Sequence, residues 1–402
     1  MRFHSGMNFS RLVVRTVVLL AAACSCLSLN ARSAIAADGK YLFYVGTYTN
    51  DNGKSTKSQG IYAYRFDSST GQITSLGLAA ETTNPSFVAI HPSGRYLFAV
   101  NELGNYNGPN SGGVSAFSVD QATGKLTFLN EVRSRGADPC YIIVDHTGKY
   151  VLVANYTGGS VAVFPIGADG KLGEASAFVQ HSGHGANPER QEGPHAHSID
   201  PSPDNRFAFV DDLGLDELLT YKFDSSKGTL TPNDPPFAKL AAGSGPRHFA
   251  LHPNDKFAYV VSEIRGTVTV FAHDASAGTF RQLQTITTLP KDYKGPIEDA
   301  EIEVHPSGKF LYASNRGESN DIAIYRIDPE KGTLTSLGNV STGGKTPRNF
   351  AIDPTGKFLL AENASSDSIV VFRIDQKMGN LAPTGEKAAV GSPVCIRFLV
   401  RK

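Results

Sequence analysis

The chain has 402 residues, of which 40% are hydrophobic and 19% are charged, with 38 basic and 38 acidic side chains. This apolar share supports a buried core and excludes a disordered chain. The formal net charge of zero gives no overall field that would recruit nucleic acid or an anionic membrane.

The first 36 residues have the pattern of a secretory signal peptide. Arginines occur at positions 2, 11 and 15, residues 12–29 are mostly apolar and small, and Ala34-Ile35-Ala36 is a small-x-small cleavage pattern. We therefore expect cleavage near Ala36, and a mature domain of residues 37–402 in the periplasm or outside the cell. An uncleaved anchor and a lipidated cysteine are the alternatives, but Arg15 leaves the apolar run short for a membrane span.

One short phrase recurs along the mature chain. Its positions are, in order, an apolar residue, His or Asp, usually Pro, a small or polar residue, Gly or Asn, Lys or Arg, and an aromatic residue. The copies are Ile90–Phe98, Val144–Tyr150, Ile199–Phe207, Leu251–Phe257, Val304–Phe310 and Ile352–Phe358, with a truncated copy at Asp38–Phe43. Seven copies at intervals of roughly 50 residues are typical of propeller blades.

Each repeat predicts four short strands, here lettered a to d, with the recurring phrase as the turn between a and b. The first copy lacks strand a, whereas Pro393–Val400 is a strand a with no partner after it. Pairing these two ends would complete a ring and remove an open sheet edge. We predict an all-β fold, a single seven-bladed β-propeller over residues 37–402; an open sandwich is the alternative.

Polar residues concentrate where strands a begin and strands b end, positions that share one end of a propeller. The starts of strands a supply Ser86, Cys140, His195, His197, Arg247, His248, Glu301, Arg348 and Asn349. The ends of strands b supply Thr47, Asn101, Glu102, Asn155, Tyr156, Asp211, Asp212, Ser262, Glu263, Asn315, Arg316, Glu362 and Asn363. This end of the central tunnel is therefore the predicted functional site.

A histidine pair lies in an insertion that only one repeat carries, Gly185–His197. His195 and His197 are two residues apart, so on a regular strand they would face the same side. The spacing fits a pair of metal ligands, with His248 and Glu263 as possible further donors, or a general base beside a binding imidazole. Nothing in the sequence fixes a third ligand, so no metal and no cofactor is predicted.

Three arginines come from successive repeats and should point towards the same mouth: Arg247, Arg316 and Arg348. Guanidinium groups bind phosphate or carboxylate in a bidentate manner, so the cluster indicates a small anionic ligand. The alternative is that each arginine is neutralised by Glu263, Glu301 or Glu362.

Several motifs carry a family resemblance over about the whole mature chain. The most specific is Asn187–His197, supported by Val45–Tyr48, Gly245–His248, Ser262-Glu263 and Ala300–Ile302. With these motifs the chain resembles the lactonase family of seven-bladed propellers. The fungal carboxy-muconate lactonising enzyme has a similar fold and similar motifs.

The resemblance implies a carboxylic-ester hydrolase that opens a sugar lactone, such as 6-phosphogluconolactone or a related aldonolactone, to the open-chain acid. It implies catalytic residues at His195 or His197, Arg247 and Glu263, and a further site residue at Arg316. The expected substrate-binding residues are Arg316, Arg348, His248, Glu301 and Asn349. No Gly-x-Ser-x-Gly elbow is present, so a serine nucleophile is not expected.

The residues suggest roles for these side chains in lactone opening. Glu263 or His197 would accept a proton from water, and Arg247 or protonated His195 would stabilise the developing oxyanion. Two other functions stay open: a muconate-type cycloisomerase, which adds no water, and a non-catalytic exported binding propeller. We further expect a monomer, and buried thiols rather than a disulfide at Cys140 and Cys395.

Overall fold

The computed structural model describes residues 39–51, 53–106 and 108–400. These residues form seven antiparallel sheets of four strands each, together with one two-stranded hairpin. The predicted all-β propeller is therefore confirmed. The predicted signal peptide, residues 1–36, lies outside the described residues.

We number the sheets as blades 1 to 7 and letter their strands a to d from the propeller axis outwards. Blade 1 contains Pro393–Phe398, Lys40–Thr47, Gly60–Asp67 and Gln72–Glu81. Blade 2 contains Val88–Ile90, Tyr96–Asn101, Gly113–Val119 and Leu126–Arg133. Blade 3 contains Pro139–Val144, Tyr150–Asn155, Ser160–Pro165 and Ala177–Gln180. Blade 4 contains Ala196–Pro201, Phe207–Asp212, Glu217–Asp224 and Thr229–Lys239.

The remaining blades repeat the same order. Blade 5 contains Pro246–Leu251, Phe257–Ser262, Thr267–Asp274 and Thr279–Thr287. Blade 6 contains Asp299–Val304, Phe310–Asn315, Asp321–Ile327 and Leu334–Ser341. Blade 7 contains Pro347–Ile352, Phe358–Asn363, Ser368–Ile374 and Leu381–Ala389. A 3₁₀ turn, Ala364–Ser366, and the hairpin Asn50–Asp51 with Lys54–Ser55 lie outside the blades.

The ring closes through the first and last blade strands of the described residues. Strand a of each blade contacts strand a of the next, and this series of contacts returns to its starting blade. The last strand, Pro393–Phe398, pairs with the first, Lys40–Thr47, in the register Phe43 to Phe398 and Val45 to Ile396. The predicted closure is confirmed, and it leaves no open inner sheet edge at this junction.

The recurring phrase joins neighbouring blades as well as neighbouring strands. Nε2 of His91 donates to the carbonyl of Gly148 in the next blade at 2.9 Å. Nε2 of His305 donates in the same way to Gly356 at 2.7 Å. Gly148 has a φ of +72°, and a Cβ there would lie 2.5 Å from the His91 ring, so the turn requires glycine. The repeated histidines and glycines therefore fix the spacing between blades.

The core lies between the blades and is built mainly from strands b, such as Tyr150–Asn155, in which every residue is buried. The outer strands d alternate between exposed and partly buried residues, as in Thr279–Thr287. Cys140 and Cys395 are free, buried thiols, as expected.

The closing strand provides a direct test of the ring. The Phe398 ring packs against Tyr41, Phe43 and Phe66, with ring centroids 6.4, 5.3 and 5.7 Å apart. We expect Phe398→Ala to lower the free energy of unfolding by about 2 to 3 kcal/mol, because these ring contacts are lost and a cavity forms. Phe128→Ala is the matched control: this ring is 57% exposed on an outer strand, and the expected change is within about 0.5 kcal/mol. Equal changes in the two variants, measured by denaturant unfolding, would contradict closure by the last strand.

Candidate active site

An open pocket of about 1020 Å³ occupies the end of the propeller where strands b end and strands a begin. Its lining includes Tyr48, Glu102, Tyr156, Arg316 and Arg348. A much narrower space shares Glu102 and Arg348 with this pocket and adds four further polar or sulfur side chains: Ser86, Cys140, Arg247 and His248. The predicted functional end of the tunnel is therefore a pocket with a polar, arginine-rich floor.

Irregular pairing at the starts of strands a brings particular residues to this floor. In six of the seven blades the register between strands a and b shifts by one residue near the pocket end. The extra residue is Cys140 in blade 3, His197 in blade 4, Arg247 in blade 5 and Arg348 in blade 7. A β-bulge of this kind re-aims a side chain out of the regular alternation. Candidate site residues thus occupy positions where the repeat departs from a flat sheet.

Glu263 binds three arginines at once. Its Oε1 accepts from Nη2 of Arg190 at 2.5 Å, and its Oε2 accepts from Nε of Arg247 at 2.8 Å. Nη2 of Arg316 lies 2.9 Å from the same Oε2. Both carboxylate oxygens are therefore occupied by charged donors, and blades 5 and 6 and the insertion before blade 4 meet at this one group.

The charges in this cluster set the ionisation of its members. Burial alone would raise the pKa of Glu263, but Arg316, Arg247 and Arg190 outweigh it and hold that pKa well below its usual range. Burial, with Arg348 and Arg316 nearby, lowers the pKa of Arg247 to about 10. Glu263 and Arg247 are both charged at neutral pH, and the cluster of one carboxylate with three guanidinium groups carries net positive charge.

Arg348 differs from the other arginines of the floor. No described residue forms an ion pair or side-chain hydrogen bond with its guanidinium group, which lies over the Tyr48 ring at 5.5 Å from the ring centre. Arg316 gives one further bond, from Nη2 to the carbonyl of Asp299 at 3.1 Å, while its buried Nε has no partner. Arg348 therefore presents unused donors at the pocket, as an anion-binding site requires, and Arg316 lines the same pocket.

The two histidines of the insertion flank the Tyr156 ring. His195 stacks on it at a centroid distance of 4.6 Å, and its Nδ1 lies 3.1 Å from the Tyr156 carbonyl. His197 meets the same ring edge-on at 5.5 Å, and its Nδ1 lies 3.8 Å from Sγ of Cys140. Burial, and the charge of Arg247, lower the pKa of His197 well below its usual range, so this ring is neutral.

His248, Glu301 and Asn349 form a buried chain beside the arginines. Nδ1 of His248 donates to Oε1 of Glu301 at 3.0 Å, and Nδ2 of Asn349 donates to Oε2 of the same carboxylate. Asn349 also accepts from the backbone N–H of Ile396 at 3.1 Å. Burial lowers the pKa of His248 to about 4 in spite of Glu301. Asn349 thus has both ends of its amide bound within the protein and links blades 6, 7 and 1.

The alternative, in which each arginine pairs with a glutamate, holds for only part of the rim. Glu263 pairs with Arg247 and Arg316, whereas Glu301 pairs with His248. Both carboxylate oxygens of Glu362 are buried without a hydrogen-bond partner. The arginines at the pocket mouth are therefore not each neutralised by a glutamate of their own.

The sequence analysis assigned no role to three residues that the structure places at the site. Arg190 lies within the insertion and reaches Glu263 through Nη2. Tyr48 and Glu102 line the pocket and are bonded to each other at 2.9 Å. The unique insertion was the available signal for Arg190, and the strand-end position was the signal for Glu102. The Tyr48 contact joins different blades and has no local pattern.

Two further findings apply to the described part of the chain. Within residues 39–51, 53–106 and 108–400, no three metal-ligating side chains are grouped so that they could hold an ion. In the same residues, no helix has the length and apolar character needed to cross a membrane.

Comparisons with known proteins agree with this fold. The family model described as lactonase, seven-bladed β-propeller, matches residues 42–398. A 6-phosphogluconolactonase of Bacillus subtilis (strain 168) is 36% identical over 360 residues, covering 90% of this chain and 99% of that protein. A 6-phosphogluconolactonase of Formosa agariphila is 33% identical over 349 residues, covering 86% of this chain and 96% of that protein.

A solved structure extends the comparison to three dimensions. The periplasmic gluconolactonase of Pseudomonas aeruginosa superposes with a TM-score of 0.82 at 35% sequence identity, covering 90% of this chain and 99% of that one. The chain belongs to the lactonase family of seven-bladed β-propellers.

Proposed function

We propose that this protein hydrolyses an aldonolactone to the open-chain sugar acid. The observation that carries the proposal is the floor of the open pocket, where Arg348 presents unused donors beside Arg316 and the cluster around Glu263. The lactone-hydrolysing names among the relatives support this reaction. Neither the cycloisomerase nor the binding-only alternative is favoured.

Lactone opening needs positive charge beside the carbonyl oxygen, and the floor of this pocket supplies positive charge. Water adds to the ring carbonyl, and the carbonyl oxygen becomes an oxyanion; the ring C–O bond then breaks and leaves a carboxylic acid, which ionises. Preorganised donors that face the developing charge lower the barrier more than donors that must reorganise. Arg348 and Arg316 would donate hydrogen bonds to this oxygen, and Arg247 would add positive charge from the narrow space beneath.

Glu263 has a different role in this proposal from the proton acceptor considered in the sequence analysis. A carboxylate that three guanidinium groups stabilise in its charged form is a weak base. We assign Glu263 the role of holding Arg190, Arg247 and Arg316 in place. His195 and His197, which flank Tyr156, are assigned the positioning of that ring at the pocket wall.

The outer lining of the pocket favours a substrate without a phosphate group, so we propose a neutral lactone in place of the anionic ligand expected from the arginine cluster. This lining carries several carboxylates, from Asp51, Asp138 and Glu298, whereas Lys57 there is paired with Asp367 at 2.8 Å. Carboxylates accept hydrogen bonds from sugar hydroxyls and repel a phosphate dianion. A neutral aldonolactone such as glucono-δ-lactone also fits the expected export of residues 37–402, since phosphorylated sugars are cytosolic.

The reaction can be measured on the purified mature chain. We expect proton release from glucono-δ-lactone to exceed the spontaneous rate, with one oxygen from ¹⁸O-labelled water in the carboxylate formed. A parallel assay with 6-phosphogluconolactone compares the phosphorylated substrate, for which we expect a lower kcat/KM. Spontaneous rates with both lactones, from a protein that is folded by circular dichroism, would contradict the proposed function.

Arg348 is expected to be the most sensitive residue for substrate turnover. Arg348→Ala should lower kcat/KM by about 10- to 100-fold, because a charge-assisted hydrogen bond contributes roughly 1.5 to 3 kcal/mol. The kcat/KM of Arg348→Lys should lie between those of Arg348→Ala and the wild type, since lysine keeps the positive charge but lacks the planar guanidinium group.

Arg281→Ala is the matched control for this loss. Arg281 is exposed on the outer strand Thr279–Thr287, and its removal should leave kcat/KM unchanged. Equal kcat/KM in Arg348→Ala and Arg281→Ala would remove Arg348 from the proposed site.

A further inference from the structure

Glu102 is a second carboxylate on the pocket floor, at the end of strand b of blade 2. It lines the open pocket and the narrow space beneath it, as Arg348 does. Its surroundings differ from those of Glu263, because no described arginine or lysine lies within ion-pair distance of its oxygens. The floor therefore contains one carboxylate that is bound by arginines and one that is not.

Two hydroxyl groups fix the orientation of Glu102. The Tyr48 hydroxyl donates to Oε1 at 2.9 Å and approaches Oε2 at 3.0 Å, and the Ser86 hydroxyl donates to Oε2. Neutral donors hold the carboxylate in place and leave further lone pairs of its oxygens available. A water molecule in the pocket could donate to either oxygen.

The charges around the two carboxylates separate their acidities. Burial raises the pKa of Glu102, although Arg348, Ser86 and Tyr48 act in the opposite direction. The pKa of Glu263 is lowered instead. Enzyme active sites often contain two carboxyl groups whose pKa values are shifted in opposite directions. In such pairs the group with the raised pKa transfers the proton. The titratable and charged groups that face Glu102 are Tyr48, Asp138, Cys140 and Arg348.

We propose that Glu102 is the general base of the lactone-opening reaction, a role that rests on the proposed function. Its carboxylate accepts one proton from water while the water oxygen bonds to the lactone carbonyl carbon. The oxyanion then collapses, the ring C–O bond breaks, and the proton passes from Glu102 to the departing ring oxygen. The new carboxylic acid loses its own proton to solvent, so atoms and charges balance and no other reactant is needed.

This role predicts a loss of turnover together with a change in the pH profile. Glu102→Gln should lower kcat by about 100-fold or more, because general-base assistance contributes roughly 10²- to 10⁴-fold. In the wild type, kcat should fall on the acid side as Glu102 is protonated, and this acid limb should be absent from Glu102→Gln. Added formate should restore part of the activity of Glu102→Ala, since it replaces the missing carboxylate.

Tyr48→Phe supplies a second test that does not remove the carboxylate. The Tyr48 hydroxyl stabilises the charged form of Glu102, so its loss should raise the pKa of Glu102 and move the acid limb to higher pH. The matched control is Glu81→Gln, an exposed glutamate at the end of the outer strand Gln72–Glu81, which should keep wild-type kcat.

The outcomes separate this proposal from the proposed function. Wild-type protein that does not hydrolyse lactones would overturn the proposed function itself. Two results with an active wild type would show that Glu102 is not the base. One is a kcat of Glu102→Gln within about threefold of the wild-type value, and the other is a raised KM alone with an unchanged acid limb of the pH profile. An acid limb that does not move in Tyr48→Phe would overturn the proposal in the same way.

Discussion

The candidate site depends on one buried carboxylate that holds three guanidinium groups. Isolated arginines packed this closely would repel one another and would leave their buried donors unsatisfied. Glu263 removes most of this cost, because its two oxygens bind Arg190, Arg247 and Arg316 at 2.5 to 2.9 Å. Arg348 then remains as a charged group with no described carboxylate within ion-pair distance, and it lines the open pocket. The floor of the site is thus positive before any substrate arrives.

The propeller supplies the rigid frame that this arrangement needs. Blade-to-blade hydrogen bonds, such as that from His91 to Gly148, recur at the turns, far from the pocket. The bulges at the starts of strands a occur at the opposite end of these strands, next to the pocket. Each blade is regular at its turn end and irregular at its pocket end. The irregular ends place different side chains around one axis, namely His197, Arg247 and Arg348. The candidate site of this chain therefore lies where the repeat is least regular.

The fold could be predicted from the sequence because the same physical requirements recur seven times. Each turn has a glycine, asparagine or aspartate at a position of positive φ, and an aromatic residue follows it. The incomplete first and last copies can only complete each other. The shared rim was also predictable, because strand ends determine which residues meet. Pairings across blades, by contrast, have no local signature. The bond from Tyr48 to Glu102 joins blades 1 and 2, and Arg190 reaches Glu263 from the insertion. The sequence also could not show that Glu263 is held by arginines while Glu102 is not, because burial and charge around a carboxylate depend on the assembled ring.

The central claim, that Glu263 holds the arginine cluster through its charge, is tested most directly by the stability of Glu263→Gln as a function of pH. The pKa of Glu263 is lower in the folded chain than its ordinary value of 4.5, so its carboxylate stabilises the fold at all pH values above that ordinary value. The wild type should exceed Glu263→Gln by about 3 to 5 kcal/mol in free energy of unfolding near pH 7, as expected when a buried ion pair is broken. This difference should shrink as the pH falls below about 4.5, where Glu263 in the unfolded chain takes up a proton. A difference that is near zero, or that does not change with pH, would contradict the account.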